Sequence, residues 1–290
     1  HNSAAALVVD GELLAAAQEE RFSRKKNDPG FPHQAIKFCL RKADLYAKDI
    51  DHVVFYEDPR LKFSRIIETS GNIPNKKVQV VERALRHWVA NGKFFPEQKI
   101  SYFLDIDPAK ISFVSHHLAH AAAAFYPSPF EKSIILTMDG VGEWSTSTIA
   151  IGNKDKIDMK KEIKFPHSLG LLYSAFTYYL GFKVNSGEYK LMGLAPYGKP
   201  IFKNKIKENL IDIKKDGSFR LNMSFFDYTT KDKMINNKFE NLFGHKTRIA
   251  EQEEIKEFHM DIAASIQSVL EEIIIKICKS IKEEFKIENI

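Results

Sequence analysis

Cysteine is almost absent from this chain: Cys39 and Cys278 are the only two among 290 residues. Both fall in amphipathic helical patterns, where a thiol packs as a small hydrophobe. Nothing points to a disulfide framework, and a reducing, cytoplasmic setting is the expectation. Long apolar runs are missing too. No window holds about 18 uninterrupted apolar residues, so no membrane span is predicted and no membrane partner is expected. Charge of one sign is also lacking. Lys and Arg number 43 against 38 Asp and Glu, a formal net charge of +5 spread as mixtures rather than blocks. Without a basic stripe, nucleic acid is not an expected partner. No secretory leader can be read, but the chain opens on His1 and not on Met, inside a strand-turn pattern. Residues are expected to be missing at both ends.

What is present describes an ordinary globular chain, 44% hydrophobic and 28% charged, long enough for a large core in one or two domains. Residues 4–18 read as strand, Asp10-Gly11 turn and returning strand. A polar loop closed by Pro and Gly follows, then a helical period over 34–45 and a buried strand in HVVFYE. Residues 62–93 mix helix and polar loop. A helix from 96 to 104 and a strand over 110–115 lead to a histidine-bearing helix. Residues 133–137 and 147–152 form a second hairpin around DGVGEW, and the likeness of AAALVVDGELLAAA to STSTIAIGNKDKIDMKKEI hints at a duplicated hairpin. A Tyr/Phe/Leu-rich helix spans 165–182, and the turn-rich stretch NSGEYKLMGLAPYGKP follows. Residues 203–241 carry Lys and Asn with short strand patterns such as SFRLNMSFF. A single amphipathic helix is predicted over 251–285. Strands alternating with helices make the class α/β.

The stretch VSHHLAHAAAAFYPSPFEKSIILTMDGVGE organises the rest. His116 and His120, at i and i+4, point the same way from a helix, a metal-ligand geometry. The glutamate of an HExxH zinc protease is missing between them, so that reading fails. Asp139, ending an apolar strand, completes a set of two imidazoles and one carboxylate, which suits iron(II) and other divalent ions. Gly140 and Gly142 let the backbone around Val141 and Glu143 approach an anion. The plainer alternatives are that one histidine caps the helix, another packs on Phe125, and Asp139 merely starts a turn.

Other candidates are less sharp. His1, Asn2 and Ser3 hold the matching place in the first hairpin, where small polar residues can hydrogen-bond phosphate oxygens or simply face solvent. Arg21, Arg24, Lys25 and Lys26 form a cationic loop that would hold an anion if it faced the second hairpin. Gly187, Glu188 and Lys190 offer a bare backbone, a base and a cation. The lysines of 203–215 read as a solvated face.

The blocks HNSAAALVVDG, EERFSRKKNDPGFPHQAIKFCL, VSHHLAHAAAAFYPSPF, LTMDGVGEWSTSTIA and NSGEYKLMGLAPYGKP together resemble the O-carbamoyltransferases of the nodulation and antibiotic-tailoring type. They run in family order from residue 1 to about 267. The resemblance implies an actin-like ATPase fold of two ribonuclease-H-like lobes, here 1–112 and 113–290 and incomplete at both ends. It implies ATP and carbamoyl phosphate as substrates and carbamoyl-adenylate as the intermediate. It also implies a C-terminal domain that makes this adenylate, and a small-molecule hydroxyl acceptor. His116, His120 and Asp139 match the metal ligands, typically for iron(II); His1 matches the histidine near the reacting hydroxyl, and Lys26 an active-site lysine. Asn2, Ser3, the loop Asp139, Gly140, Val141, Gly142 and Glu143, and the turn of Gly187, Glu188 and Lys190 correspond to nucleotide- or adenylate-contacting positions. The family's adenosine-binding glycine turn and a further metal aspartate lie past the last residue here. Two other readings stay open: a relative of the tRNA threonylcarbamoyl transferases, and a metal- and nucleotide-binding module without turnover.

Overall fold

A computed structural model of the chain describes residues 2–70, 81–82, 85–86, 88–89, 94–229 and 233–290. In chain order its elements are β1 (Ala4–Val9), β2 (Glu12–Gln18), α1 (Glu20–Ser23), α2 (His33–Lys42), β3 (Val53–Phe55), α3 (Pro59–Ser70) and α4 (Pro96–Leu104). Then come β4 (Ile111–Phe113), α5 (His116–Phe125), β5 (Lys132–Met138), β6 (Ser145–Asn153), β7 (Lys156–Lys164), α6 (Leu169–Tyr179) and α7 (Glu188–Leu194). The chain continues through α8 (Lys203–Asn209), β8 (Ile211–Ile213), β9 (Phe219–Leu221), α9 (Asn237–Phe243) and α10 (Glu257–Phe285). The α/β expectation holds, with sheets that are small: β1-β2, β3-β4, β5-β6-β7 and β8-β9. No described helix is long and apolar enough to cross a membrane. The chain divides into two compact units, His1–Phe55 with Phe95–Phe113, and Tyr56–Phe94 with Val114–Ile290.

In the first unit the predicted hairpin forms as read. Asp10 and Gly11 both take positive φ, 52° and 85°, the conformation a two-residue turn between twisted strands demands. Glu19, just past β2, turns its buried carboxylate onto the first amides of α2, accepting from Gln34 N at 3.1 Å and Ala35 N at 2.9 Å. Strands β3 and β4 pair in parallel, and α4 buries Ile100 and Leu104 in a core with Ile106, Phe31, Leu40 and Val53.

In the second unit β5, β6 and β7 form an antiparallel sheet. Ala121 and Phe125 of α5 pack on Ile135 and Ala150 of that sheet. Gly152 makes room for the Phe125 ring, since a Cβ there would lie 2.5 Å from it. The main core gathers round α10, whose Ile262, Ile266, Val269, Ile273, Ile277 and Ile281 are buried at helical spacing against α6, α8 and the β8-β9 ribbon.

Three local expectations shift. Helix α10 begins at Glu257 rather than at 251, because the Nδ1 of His259 accepts the amide of Lys256 at 2.9 Å and fixes the helix start there. Helix α6 begins only at Leu169, after Pro166, where the hydroxyl of Ser168 caps it by accepting from Leu171 N at 3.0 Å. The stretch around residue 190 is not an open turn but helix α7, followed by a single helical turn, Ala195–Tyr197. Of the predicted mixture over 62–93, helix α3 is described, and much of the rest lies outside the described residues.

Candidate metal centre

Helix α5 and the turn after β5 build the site. Its alanine-rich sequence lets α5 lie close on the sheet, and the i, i+4 spacing brings the rings of His116 and His120 together, centroids 4.6 Å apart and nearly perpendicular. Asp139 follows the last residue of β5, held by the hydrogen bond of its amide to the carbonyl of Thr146 at 2.9 Å. Its Oδ2 lies 2.7 Å from His116 Nε2 and 3.7 Å from His120 Nε2. The two Nε2 atoms are 3.1 Å apart. The three residues bring their donor atoms within 4.8 Å of one another, the arrangement that can hold a metal ion. Two imidazole nitrogens and a carboxylate oxygen converging on one point leave more lone pairs than protons between neutral rings, which a divalent cation satisfies. The donor set therefore fits the predicted metal.

The charges agree with this geometry. Hydrogen bonds from His116 first, and then from His120, hold the Asp139 carboxyl far below the usual carboxylate range. The same carboxylate pushes His120 up. The third histidine behaves differently. His117 is buried, its Nδ1 paired with Thr137 Oγ1 at 2.7 Å and its Nε2 with the carbonyl of Ser145 at 2.8 Å. Burial pushes its pKa down, so it is a neutral ring joining α5 to the sheet.

The turn itself is more occupied than its glycines suggest. Gly140 N–H donates to Asp139 Oδ1 at 2.6 Å, and Gly142 N–H to the carbonyl of Ser145 at 2.9 Å. Of the amides of Gly140, Val141 and Gly142, that of Val141 is the one without such a partner. The small size of Gly142 serves a close approach: a Cβ there would lie 3.0 Å from His116 Cβ. Glu143 is buried, and its Oε1 accepts from His116 N at 3.0 Å and from Asp58 N at 2.9 Å. It caps the histidine helix. No periodicity in the sequence could have shown this, because the cap comes from 27 residues downstream. Arg65, a buried guanidinium stacked 4.9 Å from the centroid of Phe165, was likewise not read from the sequence.

The remaining predicted residues fall elsewhere. His1 lies outside the described residues. Asn2, Ser3 and Lys26 belong to the first unit. Asn2 takes φ 58°, Ser3 N donates to the carbonyl of Asp28 at 3.0 Å, and Lys26 is exposed. Ser3 Oγ is buried without a hydrogen-bond partner. Glu188 accepts from Ser174 Oγ and Asn185 N, both at 2.8 Å, and from the amide of Gly187 at 3.1 Å. The Gly187 backbone is therefore covered by its own neighbour rather than bare, and Lys190 is exposed.

The chain matches the carbamoyltransferase N-terminus family over residues 1–290, and it belongs to that family. It is 46% identical to the uncharacterized protein sll1178 of Synechocystis sp., over 100% of this chain and 48% of that protein. It is 30% identical to the nodulation protein NolNO of Sinorhizobium fredii, over 96% of this chain and 38% of that protein. It is 27% identical to the uncharacterized protein MJ1051 of Methanocaldococcus jannaschii, over 100% of this chain and 48% of that protein. The chain thus spans about half the length, or less, of these curated relatives.

Proposed function

We propose that the protein transfers a carbamoyl group, drawn from carbamoyl phosphate through an ATP-derived carbamoyl-adenylate, to a hydroxyl of a sugar-like or natural-product acceptor. The observation that carries this reading is the convergence of His116, His120 and Asp139 within a chain of the carbamoyltransferase family. In this reading residues 1–112 and 113–290 are two lobes of the actin-like kind, and a further domain supplies the adenylate. The sugar-like acceptor is what the resemblance to the nodulation-type O-carbamoyltransferases implies.

The roles follow from the chemistry of the side chains. His116 and His120 through Nε2 and Asp139 through Oδ2 would hold iron(II) or another divalent ion. Such an ion, when bound, would supply positive charge beside the phosphate of the adenylate. The amide of Val141 remains to donate to an anion at the same turn. His1 takes the proton from the acceptor hydroxyl as its oxygen bonds to the carbamoyl carbon. The bond from that carbon to the phosphate oxygen breaks, and AMP leaves with the electron pair. The family resemblance implies an active-site role for Lys26 and adenylate-contacting roles for Asn2 and Ser3.

The test is made with the polypeptide as its gene encodes it, given ATP, carbamoyl phosphate and a panel of sugars and glycosides. Carbamate ester and AMP are expected in equal amounts, falling by at least about a hundredfold in His116→Ala. Formation of AMP with no carbamoylated product from any hydroxyl acceptor would sink the transfer reading. An undiminished rate in His116→Ala would remove the metal centre from it.

A further inference from the structure

Most metal-binding histidines are oriented by an acceptor on the ring nitrogen that faces away from the ion. His116 has no such acceptor: its Nδ1 is buried without a hydrogen-bond partner. Apart from the bond of its Nε2 to Asp139, the direction of this ring comes from the backbone beneath it and from packing, with the Tyr56 ring at 5.8 Å and Gly142 against its Cβ. The backbone at His116 is the first residue of α5, and Ser115 before it makes no side-chain capping bond. That place is filled by Glu143, which receives the His116 amide on Oε1 at 3.0 Å and on Oε2 at 3.1 Å. The same Oε1 receives the Asp58 amide at 2.9 Å, tying the segment before α3 to the same point.

A carboxylate buried this deeply needs a compensating charge as well as amides. Arg65 on α3 supplies one. Its guanidinium is buried over the ring of Phe165, its Nε makes no hydrogen bond, and the charges of Glu57 and Glu143 favour its protonated form. Burial lowers its pKa to about 10, which leaves it charged at neutral pH. Glu57 has its own cation in Lys62, at 2.8 Å.

We propose that Glu143, its charge offset by Arg65, is the positioning residue of the metal centre: its carboxylate sets where α5 begins, and so aims His116 Nε2 at Asp139. The family resemblance assigns Glu143 to nucleotide contact. Here its oxygens already hold three amide contacts, and its effect on chemistry runs through the histidine. This inference rests on the metal reading above.

Cobalt(II), whose visible absorption reports the ligand geometry, is the probe. Wild type is expected to bind it stoichiometrically. Glu143→Gln, whose amide can accept the backbone donors on one atom only, should bind roughly 10–100-fold more weakly with an altered visible spectrum. Its far-ultraviolet circular dichroism should stay as in wild type. Wild-type affinity and spectrum in a folded Glu143→Gln would overturn the proposal while leaving the metal reading intact. Failure of wild type to bind cobalt(II) or iron(II) would overturn both. Should Glu143→Gln not fold, the charge-neutral pair Glu143→Gln/Arg65→Met takes its place. Weak cobalt binding in that folded pair supports the proposal, and wild-type binding overturns it.

Discussion

At the scale of single residues, the three histidines of α5 show how one sequence pattern divides into different chemistries. His117 faces the sheet and is spent on Thr137 and Ser145, while His116 and His120 face Asp139. These two rings differ in what else they do. The His116 side chain is 16% exposed and packs under Tyr56, whereas that of His120 is 51% exposed. Removing His120 should therefore cost metal affinity almost alone. We expect His120→Ala to lose cobalt(II) binding while its metal-free unfolding free energy stays within about 0.5 kcal/mol of wild type. A large loss of metal-free stability, read by denaturant unfolding, would mean that His120 is a packing residue instead. The pairing of His116, His120 and Asp139 was legible in the sequence because i, i+4 spacing and a strand-ending aspartate are local signals. Glu143 and Arg65 were not, because a buried charge finds its partners through space and leaves no periodic trace.

At the scale of elements, helix starts decide much of the architecture, and several are fixed by side chains far from the expected place. Glu19 caps α2, Glu143 caps α5 and His259 caps α10. The long helix α10 was read correctly in type and core face, since isoleucines recur at helical spacing. Its first turn was misplaced because a histidine accepting a backbone amide is not a familiar cap. That cap is sensitive to pH. Burial first, and then the charge of Arg248, lower the His259 pKa below its ordinary value of 6.5. The unfolded chain then binds the proton more readily than the folded one. The contribution of His259 is full above about pH 6.5 and is lost as pH falls below it, because protonated Nδ1 cannot accept the Lys256 amide. Between pH 7.5 and pH 5.5 the unfolding midpoint of wild type should drop further than that of His259→Asn. Parallel declines in the two proteins would show that the cap does not titrate in this range.

At the scale of the whole molecule, the ligands of the candidate centre all lie in the larger unit, the one with α10 at its core. The α/β class could be read from alternating patterns, and so could the first hairpin, whose Asp-Gly turn is a purely local signal. The helix α7 in NSGEYKLMGLAPYGKP escaped because its glycines and proline look like turn formers, while Glu188, bonded to Ser174 and to its own preceding loop, holds the start of a helix. A last consequence follows from Gly170. A Cβ there would lie 2.7 Å from the carbonyl carbon and oxygen of Asp139, and the Ser168 hydroxyl donates to that same carbonyl at 3.0 Å. The main chain of Asp139 is therefore seated against α6, a helix whose Leu169, Leu172 and Phe176 are part of the main core. The Asp139 carboxylate is thus backed by a helix of the main core, so a cation entering should meet donor atoms already assembled, with little ordering left to do. Association should be governed by the shedding of water from the ion. In stopped-flow mixing the order of on-rates should follow the known water-exchange rates of the divalent ions, with nickel slower than cobalt. One rate shared by all ions would point instead to a rearrangement of the protein before binding.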